Sequence, residues 1–127
     1  MGTHMIQQTA AQTARPLQPT LFEPLPALIR PTLVKGASLQ ESFEAFHRAN
    51  PAVYAALKRM ALDMRRKGVR RYGIGGLFEL MRWQYALQTQ GDEYRLNNNY
   101  RSRYARLLMD DVGELRNFFE VRELQSE

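Results

Sequence analysis

Asn50-Pro51-Ala52-Val53-Tyr54-Ala55-Ala56-Leu57-Lys58-Arg59-Met60-Ala61-Leu62-Asp63-Met64-Arg65-Arg66-Lys67-Gly68 is the stretch whose reading decides the fold. Val53, Leu57, Met60, Ala61 and Met64 fall at i, i+4, i+7, i+8 and i+11, one face of a 3.6-residue helix. Pro51 suits the first helical position behind an Asn cap and disfavours helix for the residue before it. Gly68 is the expected stop, because glycine takes the left-handed conformation that ends helices. Two helices therefore abut at Asn50-Pro51, and the second ends in a run of cations.

Upstream, Ser38 with Glu41 three residues on has the form of a capping box. It predicts a helix to about Ala49 with Leu39, Phe43 and Phe46 as its apolar stripe. Downstream, Arg70-Arg71-Tyr72 and the glycines Gly73, Gly75 and Gly76 make a connector with a strand-like residue or two. A third helix over about 76–89 carries Leu77, Phe78, Leu80, Met81, Trp83, Tyr85, Ala86 and Leu87, apolar nearly all round, which predicts a central, buried helix. Gln90-Gly91-Asp92 is a turn, and Glu93 to Asn97 reads as a short strand or a loop. A fourth helix over about 99–110 turns Tyr100, Tyr104, Leu107 and Leu108 inward and Arg101, Arg103 and Arg106 elsewhere. A last short helix over about 112–120 carries Leu115, Phe118 and Phe119.

These elements predict a mainly α, compact four- to five-helix domain over residues 38–127. Its style is that of helix-turn-helix or winged-helix modules, with a minimal hairpin near 69–73 and 92–97. Before it, Pro16, Pro19, Pro24, Pro26 and Pro31 interrupt any helix, so residues 6–37 read as a flexible, irregular arm. Its apolar residues Leu17, Leu21, Phe22, Leu25, Leu28 and Ile29 give it the means to lie over the body or a partner. Met1-Gly2-Thr3-His4-Met5 reads as a cloning remnant ahead of an initiator at Met5, which leaves His47 as the relevant histidine.

With 44% hydrophobic and 24% charged residues the chain has globular composition, so wholesale disorder and a rod-like coiled coil are both excluded. The absence of cysteine excludes disulfides, thiol nucleophiles and thiolate zinc sites. No apolar run approaches the roughly 20 residues of a membrane span and no signal sequence is evident, so the expected compartment is the cytoplasm of a bacterial host cell.

The formal charge of +5 is unevenly spread. Residues 38–109 hold thirteen Lys or Arg against six Asp or Glu, whereas residues 110–127 hold two against six. A basic body favours polyanions, and the acidic tail has the chemistry to compete for the same face. The candidate contacts are the cluster Arg65, Arg66, Lys67, Arg70 and Arg71, with Lys58 and Arg59 two turns earlier, and the fourth helix with its leading loop, Asn98, Asn99, Tyr100, Arg101, Arg103 and Arg106. Arginine forks match phosphate, Asn and Arg pair with base edges, and tyrosine offers a stacking plane. Cations at a helix C-terminus also oppose its dipole, and arginines on an outer helix face are ordinary, so each cluster has a purely structural reading as well.

Gly73-Ile74-Gly75-Gly76 could cradle an anion with backbone N–H groups, although it matches neither a dinucleotide fingerprint nor a phosphate-binding P-loop. Turn geometry and close packing explain it better. His47 has no nucleophile or acid at triad-like spacing, and the adjacent pairs Asp92-Glu93 and Asp110-Asp111 sit at helix ends. No enzyme activity, cofactor or metal is therefore expected.

Gln18-Pro19-Thr20-Leu21-Phe22 resembles the short Gln-x-x-Leu-Phe peptides by which bacterial proteins dock on the replicative sliding clamp. There Gln would bind at the pocket rim and Leu21-Phe22 would fill it, while Pro19 stands where those peptides prefer Leu. The stretch from about Ser42 to Arg122 resembles a group of small uncharacterised helical proteins encoded by bacteriophages and prophages. Gly76-Leu77-Phe78-Glu79-Leu80-Met81-Arg82-Trp83, Leu96-Asn97-Asn98-Asn99 and Tyr104-Ala105-Arg106-Leu107-Leu108-Met109 carry this resemblance. It implies a phage-like setting and assigns no functional residue.

The sequence thus points to a nucleic-acid-binding protein, with DNA as the expected partner. The alternative is a protein-interaction module engaging a host or phage protein through Gln18, Leu21 and Phe22 or through a surface around Trp83 and Tyr85. A homodimer that exchanges its arms is a third reading.

Overall fold

Ser38 caps the first helix as its spacing predicts. Its Oγ accepts the Glu41 N–H at 3.0 Å and Glu41 Oε1 accepts the Ser38 N–H at 2.9 Å, which satisfies two of the donors a helix start leaves free. The structure, a computed structural model, describes residues 24–88 and 95–120. Among them are four α-helices: α1 over Leu39–Ala49, α2 over Pro51–Arg66, α3 over Ile74–Gln88 and α4 over Arg101–Asp111. Two 3-10 turns, Asn98–Tyr100 and Gly113–Leu115, flank α4.

The α2 helix is the one its periodicity demands, with Val53, Leu57, Met60 and Ala61 buried and Met64 packed at the edge of the core. It ends in a Schellman motif: Gly68 takes φ +103°, its N–H reaches Arg65 O at 3.1 Å, and the Val69 N–H reaches Met64 O at 3.0 Å. Helix α1 lies against α2, α2 against α3, and α3 against α4. The core between them is built from Phe43, Phe46, Leu57, Leu77, Phe78, Met81, Tyr104 and Leu108. Phe43 meets Tyr104 edge-on at 4.8 Å between ring centroids, which ties α1 to α4.

Three expectations are corrected. Helix α3 is not enclosed: Ile74, Leu77, Phe78, Met81, Gln84 and Tyr85 are buried, but Trp83 and Leu87 are 43% and 57% exposed. The described elements cover only one side of it, so an all-apolar helix keeps an apolar outer face. The last helix does not form either. After the 3-10 turn, Asn117 takes φ +61°, and this left-handed residue lets the consecutive Phe118 and Phe119 both turn inward, their rings edge-on at 5.0 Å. Helical geometry would put them about 100° apart.

The expected hairpin is likewise absent among the described residues. The connector strand-pairs with the C-terminal segment: the Tyr72 N–H donates to Phe118 O at 3.0 Å, and Tyr72 and Phe119 form an isolated parallel bridge. Arg95 to Asn97 carry no strand, and residues 92–94 lie outside the described residues. Nine residues separate Gln88 from Asn98, so α3 and α4 are not joined by a tight helix-turn-helix corner.

Of the arm, residues 24–37 are described, with neither helix nor strand, as the prolines dictate. Two side-chain amides hold them. Gln88 Oε1 accepts the Leu25 N–H at 2.9 Å and its Nε2 donates to Leu25 O at 3.0 Å; Asn50 Oδ1 accepts the Ile29 N–H at 2.7 Å and its Nδ2 donates to Ile29 O at 2.8 Å. Each carboxamide thus replaces a neighbouring strand, and Leu25 and Leu28 rest on the core.

Candidate nucleic-acid interface

The two clusters of cations meet very different fates. At the end of α2, Arg66 is engaged by the chain itself: its Nε and Nη2 fork onto the two carboxylate oxygens of Glu114 at 2.9 and 2.6 Å. Arg65 Nε donates to the Glu114 carbonyl at 3.2 Å, and Lys67 Nζ reaches Asp63 Oδ2 at 3.2 Å. The hydrogen bonds from Arg66 hold the Glu114 carboxyl below its ordinary range, and Glu114 in turn raises the guanidinium. Glu114 belongs to the acidic C-terminal segment, so that segment occupies part of the basic face.

Arg70 and Arg71 are exposed in the connector just ahead of α3. Beyond them the chain passes over the first turn of that helix. A Cβ built on Gly76 would lie 2.7 Å from the outer end of the Tyr72 ring, so glycine lets the ring come this close to the helix. Close packing accordingly accounts for Gly76. Its neighbour Gly75 sits beneath Arg101, whose Nη1 would be 3.5 Å from a Cβ at that position. Arg101 Nε also donates to Asn98 O at 3.1 Å. The start of α3 therefore follows the exposed Arg70-Arg71 connector and lies under the exposed Arg101, which is bonded in turn to the carbonyl of Asn98. Its first-turn N–H groups and helix dipole add positive potential at the same place.

Tyr100 and Arg103 leave the candidate surface. Tyr100 is 3% exposed and packs on Phe43 and Phe46, at 5.6 and 5.2 Å between centroids. Arg103 is 8% exposed and donates from Nε to Gln40 Oε1 at 2.7 Å. Helix α4 starts at Arg101, two residues later than expected and after the 3-10 turn, and Arg103 turns towards Gln40 of α1. A stacking tyrosine or a phosphate-binding fork here would have to leave the core. Arg106 is half-buried beside them. Tyr85, expected on a partner surface with Trp83, is also buried, and burial pushes its hydroxyl up to about 12.

Asn97 accepts the Asn99 N–H at 2.8 Å and so caps the 3-10 turn, leaving the Asn98 and Asn99 side chains at the surface. Gln18, Leu21 and Phe22 lie outside the described residues. His47 stacks on Phe43 with ring centroids 5.9 Å apart, and its buried Nδ1 has no hydrogen-bond partner. Among the described residues no three of His, Cys, Asp or Glu gather as metal ligands, and no helix is long and apolar enough to cross a membrane.

Sequence reasoning missed Asn50 and Gln88 as holders of the arm, Glu114 as the partner of Arg66, and Gln40 as that of Arg103. All four are polar side chains bonded to residues 21 to 63 positions away, and no local pattern encodes such pairs. Compared with known proteins, the chain matches no family model, no curated relative and no solved structure.

Proposed function

We propose that this protein is a non-enzymatic nucleic-acid-binding protein that grips duplex DNA by its phosphates at the start of α3. The observation that carries the reading is the position of Arg101 over Gly75, which brings a cation from α4 to the helix turn that Arg70 and Arg71 lead into. Arg65 lies farther along the same basic stretch, at the end of α2. Guanidinium forks and the positive end of a helix dipole favour phosphate oxygens, while Asn98 and Asn99 offer neutral hydrogen bonds to sugar or base edges. The phage-like setting rests on the resemblance in the sequence and belongs to the same proposal.

Four arginines on phosphates release about four counterions' worth of salt dependence, so affinity should drop on the order of 100-fold between 50 and 200 mM salt. The test is a fluorescence titration with duplex DNA, single-stranded DNA and RNA at those two salt concentrations. It is run on the full chain and on the variants R70A/R71A and R101A. Duplex binding that is steeply salt-dependent and weakened in both variants supports the reading. Binding that ignores salt and both substitutions refutes it and favours a protein partner.

A further inference from the structure

We infer that the outer face of α3 is the interface of a symmetric, antiparallel homodimer. Gly76, Leu80, Trp83 and Leu87 follow one another at i, i+4, i+7 and i+11, so they form one straight stripe outside the fully buried face of the helix, with Leu80 still touching the core. The Tyr72 ring, 36% exposed, lies on Gly76 and extends the stripe at its N-terminal end. Among the described residues Trp83 and Leu87, 43% and 57% exposed, are the large apolar side chains this helix leaves at the surface, and Leu80 on the same stripe is partly buried. Scattered exposed apolar residues need no explanation, but an aligned row of them does.

The row complements itself when a second copy runs the other way. Its midpoint falls between Met81 and Arg82, so Leu80 lies opposite the second copy's Trp83, and Gly76, covered by the Tyr72 ring, lies opposite the second copy's Leu87. Aliphatic meets aromatic all along the row. Charge follows the same symmetry. Glu79 and Arg82 occupy one flank of the stripe and are joined within the helix only loosely, at 3.9 Å, with the Glu79 side chain 71% exposed. A two-fold axis lying in the interface keeps each flank facing itself. Each Glu79 then comes within side-chain reach of the second copy's Arg82, and two crossed ion pairs border the apolar row.

The exposed parts of these side chains amount to on the order of 400 Å² per copy, about half of what a stable standard interface buries. The dimer is accordingly weak and forms at high protein concentration.

Trp83 is the sole tryptophan of the chain and sits in the middle of the row, so it reports directly. Sedimentation equilibrium of the full chain from micromolar to millimolar concentration should pass from monomer to dimer mass, and the Trp83 emission should shift to the blue along the same curve. Leu87→Asp, Glu79→Arg and Arg82→Glu should each weaken association about 10-fold or more while leaving the thermal melt in place, because Leu87 and Glu79 are at the surface and Arg82 is only partly buried. An equimolar mixture of the E79R and R82E chains should restore it, since every crossed pair is then of opposite sign. A monomer at all concentrations overturns the inference and leaves the face to a different protein or to the chain's own N-terminal residues. A dimer blind to L87D, or a mixture no better than either variant alone, overturns it as well.

Discussion

The side chain of Asn50 hydrogen-bonds the backbone of Ile29 as a strand would, accepting its N–H at 2.7 Å and donating to its carbonyl at 2.8 Å. A second Nδ2 bond, to Phe46 O at 3.1 Å, turns the last carbonyls of α1 to use. Asn50 stands at the joint between α1 and α2, and the arm is anchored there by an amide that is 6% exposed. Asn50→Asp keeps the shape but sets a carboxylate against two carbonyl oxygens. It should lower stability by about 3 kcal/mol at neutral pH, measured by urea denaturation. A loss below about 0.5 kcal/mol would show that the arm is not held through this residue.

Arg101 and Arg103 are two residues apart on α4 and should separate cleanly. Arg101→Ala should weaken DNA binding several-fold and leave the urea midpoint nearly unchanged, since its side chain lies at the surface over Gly75. Arg103→Met should do the reverse, costing about 1–3 kcal/mol through the lost bond to Gln40 and leaving the intrinsic salt dependence of binding intact. Titration and denaturation of both variants, side by side, check the pair. The opposite pattern would place the interface on the wrong side of α4.

Glu114 holds Arg66 in a two-pronged contact at the surface. Neutralising it as Glu114→Gln should leave the melt essentially unmoved, because exposed ion pairs contribute little. Arg66 is then released to the solvent side, while Arg65 keeps its bond to the Glu114 carbonyl, so affinity for duplex DNA should rise and its salt dependence steepen by about one phosphate's worth. An unchanged slope would mean that Arg66 does not face the ligand.

His47 lies between aromatic rings, stacked on Phe43 and edge-on to Tyr54 and Tyr104 at 5.2 and 5.8 Å. Burial lowers its pKa below the ordinary 6.5; Asp111 partly opposes this and Arg48 adds to it. The unfolded chain therefore takes up this proton more readily than the folded one. Stability from this site is complete above about pH 6.5 and declines as pH falls from there towards the lowered folded value. The melting temperature should drop between pH 7.5 and 5.5, and His47→Phe, which preserves the stacking, should flatten that drop. An identical slope in the variant would assign the effect to other groups.

Much of the fold was legible because its signals are local. The Ser38-Glu41 capping box, the Asn50-Pro51 joint, the Gly68 stop and the apolar spacing of α2 depend on residues within a few positions of one another, and each appears where expected. The site was legible only as a list of cations. Arg66, Arg101 and Arg103 look alike along the chain, yet one is paired to Glu114, one lies over Gly75 and one is buried against Gln40. The last helix failed for a related reason: burying Phe118 and Phe119 together outweighed the helical tendency of the segment, and Asn117 permitted the turn this requires.

On its own, then, the order of residues determined where helices start, stop and turn their apolar faces, because hydrogen bonds within a turn and the 3.6-residue period act between near neighbours. Only the tertiary structure decided which arginines reach the solvent, which amides take hold of the arm and which side of α3 the other described elements leave uncovered. Those outcomes depend on a few side-chain atoms meeting across dozens of residues, and two positions along α4 separate the exposed guanidinium of Arg101 from the buried one of Arg103.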